Sequence, residues 1–179
     1  MTTIATTPQP SEVSTESVVR DPDLPGVGVF KGRAVRLEFE TVIDRPREEI
    51  FPFFADAHNL ERITPPLLRF SVTTPAPIDM RKDALIEYRL RLRGLPMKWR
   101  TRIAVWEPPV RFVDTQLKGP YRLWHHEHTF EPIGEGRTRC RDIVHYAHLG
   151  GPLIDALLVR RDVKKIFAFR QQALAEIFA

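Results

Sequence analysis

The chain has a single cysteine, Cys140, which excludes an internal disulfide and a thiolate metal cluster and fits a reducing cytoplasm. No apolar run approaches the roughly 18 residues that a spanning helix requires. The glycine-rich phosphate loop, the dinucleotide fingerprint and the nucleophile elbow are all missing, so nucleotide-dependent and serine-hydrolase mechanisms have no foothold. No internal repeat is present, and the N-terminus lacks the basic start and apolar core of a signal peptide. What is there is the composition of a soluble globular domain: 179 residues, 42% hydrophobic and 28% charged, enough to bury one core. The net charge of +4 could suggest an anionic partner such as nucleic acid or a membrane surface. However, the arginines alternate along strand-like segments (Arg89, Arg91, Arg93; Arg100, Arg102; Arg137, Arg139, Arg141), as on the solvated face of an antiparallel sheet. Neither nucleic-acid binding nor membrane insertion is expected; a protein partner, through the basic outer sheet or the leader, is a third class of function supported by composition alone, and its identity is open.

Residues 1–28 are rich in Thr, Ser, Pro and acidic groups without hydrophobic periodicity, and read as a disordered leader. A single domain follows over residues 29–179. Alternation of Val35, Leu37 and Phe39 with charged residues predicts a half-buried strand over 33–43. Asp44 through Ile50 reads as a helix entry capped by Asp44, with a second short helix over 57–63 ended by Thr64-Pro65-Pro66. Six further strands follow near 69–74, 84–93, 97–106, 111–117, 123–130 and 138–147. Beyond Gly150-Gly-Pro152 no further Gly or Pro occurs, and Leu153, Leu157, Ile166, Phe167, Leu174, Ile177 and Phe178 mark a long amphipathic helix. The fold class is α+β, with about seven antiparallel strands and a long C-terminal helix.

Slipping a strand by one residue exchanges its two faces, so register can be argued from pattern. A three-residue loop at Gly134–Gly136 sets Phe130 opposite Cys140, His128 opposite Asp142, His126 opposite Val144 and Trp124 opposite Tyr146. The preceding turn puts Asp114 beside His126, Phe112 beside His128 and Gln116 beside Trp124. Trp99, Thr101, Ile103 and Val105 face inward on the strand before, and Ile86, Tyr88, Leu90 and Leu92 on the one before that. His125, Glu127, Arg139, Arg141 and His145 fall on the water-facing side. The inner surface is apolar across its first strands and polar across its last three, which suits an amphipathic small molecule.

The order of elements resembles the helix-grip fold of the START/Bet v 1-like (SRPBCC) superfamily. Leu60-Glu-Arg-Ile-Thr-Pro-Pro66, Trp99, Trp106-Glu-Pro-Pro109, Phe112-Val-Asp-Thr-Gln116, Gly119-Pro120, Trp124-His-His-Glu-His128 and Asp142-Ile-Val-His-Tyr146 are similar to its polyketide cyclase/dehydratase-like, ligand-binding bacterial branch. Ala147-His148 departs from that pattern, where a proline often precedes the glycine. The resemblance implies a curved sheet gripping the last helix with a cavity between them. The expected function is binding of a small hydrophobic or amphipathic metabolite, lipid-like or polyketide-like. The expected ligand-binding residues are Tyr88, Trp99, Ile103, Phe112, Asp114, Gln116, Trp124, His126, His128, Asp142 and Tyr146.

Two other readings use the same residues. His126 and Asp142 could form an acid–base pair, with Tyr146 or Arg102 polarising an oxygen, for cyclase or dehydratase chemistry. His126 and His128 are spaced for metal ligation with Asp114 or Asp142, but a hydrogen-bonded polar network accounts for the same residues, and neither metal nor cofactor is expected. A non-catalytic binding protein is the favoured outcome.

Overall fold

The structure, a computed structural model, describes residues 15–179. Eight strands form one antiparallel sheet: β1 (Thr15–Arg20), β4 (Arg33–Ile43), β5 (Ser71–Val72), β6 (Leu85–Leu92), β7 (Leu95–Glu107), β8 (Arg111–Lys118), β9 (Leu123–Pro132) and β10 (Thr138–Ala147). Their order across the sheet is β1-β4-β10-β9-β8-β7-β6-β5. A small separate pair, β2 (Asp23–Leu24) and β3 (Gly28–Val29), lies between β1 and β4 in sequence. Helix α1 (Arg47–Ala55) and 3-10 turns at Ala57–Glu61 and Pro66–Leu68 follow β4. The chain ends in one helical rod made of α2 (Gly151–Ile154), a π turn (Asp155–Val159) and α3 (Arg160–Ile177). This is the α+β helix grip that the resemblance implied.

The leader reading needs correction from residue 15 onward; residues 1–14 lie outside the described residues. Thr15–Arg20 pairs with β4 from Thr15 opposite Glu38 to Arg20 opposite Arg33, adding an eighth strand at the sheet edge. Its weak apolar content hides it, because an edge strand needs only main-chain pairing and one packed face. The chain then runs over the outer face of the sheet. There His125, expected in water, is 1% exposed, and its Nε2 lies 3.0 Å from the Pro25 carbonyl. Arg102 also faces this side, donating to Asp83 Oδ1 at 3.2 Å and to the Gly26 carbonyl at 3.1 Å, so it cannot polarise a ligand inside.

Three local corrections follow from geometry. The pairing of β7 with β8 shifts between Ile103 and Val105, so Ile103 and Ala104 are both buried and Trp106, not Val105, packs inward on Phe51 and Phe112. Such a bulge reverses the alternation beyond it. At α1, Pro46 is the N-cap and makes no side-chain cap bond; Asp44 does not serve. In the last helix Leu153 and Leu157, expected on the buried stripe, are 73% and 54% exposed. The π turn changes the helical phase, and Asp155 takes the inward place, 3% exposed, hydrogen-bonded to the Tyr146 hydroxyl and paired with Arg160.

Gly26 closes against the bulge. It has φ +73°, and a Cβ there would lie 2.6 Å from the Ala104 carbonyl oxygen. Gly28 has φ +88° with nothing within 4 Å. Gly26→Ala therefore adds a collision with backbone to the conformational strain, and is expected to cost about 1–3 kcal/mol. Gly28→Ala should cost less, and thermal denaturation of the two side by side reads the difference.

The core divides along the sheet. Leu37, Phe39, Val144 and Tyr146 on β4 and β10 pack solidly on Val163 and Phe167 of α3, with Phe39 and Phe167 stacked at 4.3 Å. Ile43, Ile50, Phe51, Phe54, Phe112, Phe130 and Leu174 fill the end beneath α1. Between β6–β9, the 3-10 turns and α3 the packing is incomplete, and a cavity remains.

Candidate functional site

The cavity offers about 170 Å³ to the centres of water-sized molecules, roughly tenfold more than the 10–15 Å³ one water needs. Eight of the eleven expected residues line it: Tyr88, Trp99, Ile103, Phe112, Asp114, Trp124, His126 and His128. Gln116, Asp142 and Tyr146 do not. Gln116 is spent on its own turn, its amide donating to the Tyr121 carbonyl at 2.7 Å and accepting from the Tyr121 N–H at 3.3 Å. Tyr146 is sealed in the solid half of the core, its hydroxyl donating to Asp155 Oδ1 at 2.7 Å. Asp142 lies one layer behind the histidines and acts on them instead of on the cavity.

The polar cluster is a product of register. His126 and His128 are two apart on β9 and so share a face. Asp114 on β8 pairs with His126, and Asp142 on β10 pairs with His128, which sets the two carboxylates on either side of the imidazoles. His126 Nε2 is 2.8 Å from Asp142 Oδ1, and His128 Nδ1 is 3.0 Å from the same oxygen. On the opposite side, His128 Nε2 lies 2.9 Å and His126 Nδ1 3.5 Å from Asp114 Oδ2. Phe112 stacks on the His128 ring at 4.1 Å and fixes its plane.

Arg170 of α3 completes the cluster, and it is absent from the residues that the sequence pattern names. Its Nη2 is 3.3 Å from Asp142 Oδ1 and 3.2 Å from His128 Nδ1, and the side chain is 7% exposed. The signal is in the sequence all the same: Arg170 falls three residues after Phe167 and four before Leu174, on the apolar stripe of the helix. A charge in that position has to meet a partner inside, because an unpaired buried ion is prohibitively costly.

Electrostatics follow from this enclosure. Burial, then the neighbouring His128, lowers the His126 pKa to about 4 against the pull of Asp142 and Asp114, so the ring is neutral at pH 7. A carboxylate only accepts, so the neutral ring carries its proton on Nε2 toward Asp142 and leaves Nδ1 a bare acceptor. Burial pushes both carboxyls upward, but His128, His126 and Arg170 outweigh it at Asp114, and Arg170 with the two histidines holds Asp142 well below the usual range. Both stay ionised. Elsewhere the lining is mainly apolar, with the Tyr88 and Tyr121 rings in the walls, and its other donors are engaged: Trp99 Nε1 donates to Thr101 Oγ1 at 3.0 Å, Asn59 to the Phe53 carbonyl at 2.9 Å and Thr64 to the Leu60 carbonyl at 2.6 Å.

A family model, polyketide cyclase/dehydrase and lipid transport, matches residues 43–172. The chain belongs to this family. The match spans α1 to α3 and thus every wall of the cavity. No curated protein sequence matches the chain. Among solved structures, this polyketide cyclase/dehydrase and lipid transport family member is similar to the Zhui aromatase/cyclase from Streptomyces sp. R1128, at 14% identity, 82% of this chain, 97% of that one and TM-score 0.59. It is also similar to a START superfamily protein from Mycobacterium smegmatis, at 11% identity, 80% and 99% coverage and TM-score 0.61. A third is TTHA0849 from Thermus thermophilus, at 23% identity, 79% and 92% coverage and TM-score 0.53. At these identities the likeness is one of fold. Among the described residues no helix is long and apolar enough to cross a membrane.

Replacing Tyr146 tests its reassignment from ligand contact to core strut. Tyr146→Phe is expected to lower stability by about 1–2 kcal/mol, since buried Asp155 loses a hydrogen bond. Affinity for a cavity ligand should stay as in the unmodified protein, read by denaturant unfolding and ligand titration together.

Proposed function

We propose that the protein binds a small, mainly apolar molecule with one polar end, seated in the cavity with that end against Asp114, His126, His128 and Arg170. The observation that carries this reading is the contrast within one cavity: walls that are mainly aromatic and aliphatic, and a single buried ionic cluster at one place. Apolar walls supply binding energy through burial, and the cluster selects orientation. With two carboxylates against one guanidinium and a neutral His126, the cluster favours a ligand that donates a hydrogen bond, such as a hydroxyl or phenol, over a carboxylate. The aromatic walls of Trp99, Tyr121 and Trp124, with rings in mutual contact, favour a flat ring system.

Binding is favoured over acid–base catalysis because His126 is a weak base in this setting and its Nε2 is already committed to Asp142. Fluorescence titration with 2-naphthol provides the test, since Trp99 and Trp124 line the cavity. The expected result is saturable quenching at one equivalent, abolished by Ile103→Trp, which fills the space. His128→Ala should weaken 2-naphthol while leaving naphthalene nearly unchanged. Quenching that survives Ile103→Trp would place the ligand elsewhere and sink the reading.

A further inference from the structure

Asp114, His126 and His128 each offer one donor atom, and the three atoms lie within 4.8 Å of one another. In a tetrahedral site with metal–ligand bonds of about 2.0–2.2 Å, neighbouring donors stand about 3.4 Å apart. Asp114 Oδ2 lies 3.5 Å from His126 Nδ1 and 2.9 Å from His128 Nε2, so both carboxylate–imidazole separations are within about half an ångström of that spacing.

The second observation concerns the far sides of the same rings. His126 Nε2 and His128 Nδ1 both meet Asp142 Oδ1, at 2.8 and 3.0 Å. Asp142 takes the Nε2–H of His126 and turns that ring's Nδ1 lone pair toward Asp114. His128 now bonds through Nε2 to Asp114 and accepts from Arg170 at Nδ1, so a metal at Nε2 would move its proton to Nδ1, where Asp142 Oδ1 stands 3.0 Å away to receive it. This is the outer-shell arrangement that orients histidine ligands and raises their basicity toward a metal. Asp142 is in turn held by Arg170. The orientation therefore does not depend on the ion being present.

We propose that Asp114, His126 and His128 form a binding site for a divalent transition-metal ion of the zinc or ferrous class, with Asp142 as the positioning carboxylate. All three donors line the cavity, so the remaining coordination position faces the space assigned above to a ligand. Imidazole and carboxylate donors without thiolate suit such ions better than calcium or magnesium, which take oxygen ligands. Two carboxylates and one guanidinium leave the cluster one negative charge in excess of its fixed positive charge. A divalent ion reverses that sign, and the open position then takes an anionic oxygen, such as a phenolate or hydroxide. The inference goes beyond the binding reading; only the role of the open position rests on it.

The test uses untagged full-length protein, freed of metal by chelator and titrated with cobalt(II) chloride. The expected result is one equivalent of bound ion with the visible bands of four- or five-coordinate cobalt, displaced by zinc chloride. His126→Ala and His128→Ala should each abolish the spectrum, and Asp142→Asn should weaken binding about ten- to a hundredfold. If the histidine variants fail to fold, the cobalt-loaded unmodified protein decides: two slowly exchanging, paramagnetically shifted imidazole N–H signals support the site, and none overturns it. A spectrum that never leaves that of the aquo ion, or one that persists in folded histidine variants, also overturns it. Repeating the 2-naphthol titration on the chelator-treated protein keeps the two proposals apart, because cavity binding can succeed there while the metal site fails.

Discussion

Arg170→Met is expected to lower the stability of the protein by about 3–5 kcal/mol at pH 7, the cost of leaving a buried charge without its counter-ion. Methionine keeps most of the aliphatic length, so the contacts with Phe54 and Phe167 that the guanidinium now covers are largely replaced, and the loss reports charge. Asp142 and Asp114 would remain with only the histidines to balance them. The sign of the pH dependence follows. Without Arg170 the folded-state carboxyl pKa values rise, so protonation relieves the variant, and the gap from the unmodified protein should be wider at pH 7 than at pH 4. Chemical denaturation at the two pH values measures this. A variant within about 1 kcal/mol of the unmodified protein at pH 7 would mean that the cluster is hydrated and the enclosure argument wrong.

Acidification of the chelator-treated protein should remove about 3 kcal/mol between pH 6.5 and pH 4 through His126. Burial, then His128, lowers that pKa to about 4. Above the unfolded-state value near 6.5 neither state binds the proton; below it the unfolded chain does and the folded one does not, so stability falls with pH until the folded ring titrates. His145, also lowered to about 4 by burial, then by His125 and Arg36, works in the same direction. Its contribution is smaller because the ring is part exposed. The carboxylates act in a different window. Their folded pKa values are depressed, so their stabilisation is intact above the ordinary range and is lost only below about pH 4. His126→Gln should flatten the slope between 6.5 and 4, as read by thermal denaturation across that range.

The register of the last three strands was legible because turn length and alternation agree there. The pairings of His128 with Asp142, His126 with Val144 and Asp114 with His126 follow from two turns and a period of two. The same method failed at Val105, since a bulge inserts a residue that no pattern announces. It failed at Leu153 and Leu157 for a related reason, a π turn that resets the phase of the helix. His125 was misplaced because its cover comes from Pro25, a hundred positions away in the chain and in a segment without periodicity. Tyr146 is on the expected face but in its filled half, and Asp142 is on the expected face but screened from the cavity by the histidines it bonds. Alternation names a face, and only the seating of α3 on β4 and β10 decides which part of that face is filled.

The adjacency of β4 and β10 has a consequence for how the molecule is assembled. Strands β6 to β10 succeed one another as neighbours and can form as a local meander, whereas β4 joins that meander, on the edge away from β1, only through residues such as Phe39 opposite Asp142. Pairings so remote in the chain close late and slow folding, because loop entropy must be lost before they return anything. A nascent chain can pair the first half of its first long strand with β1, but the other edge of that strand stays open until synthesis has passed Tyr146, and Leu37 and Phe39 stay bare until Val163 and Phe167 have followed. During that interval the strand is a point of risk for misassociation.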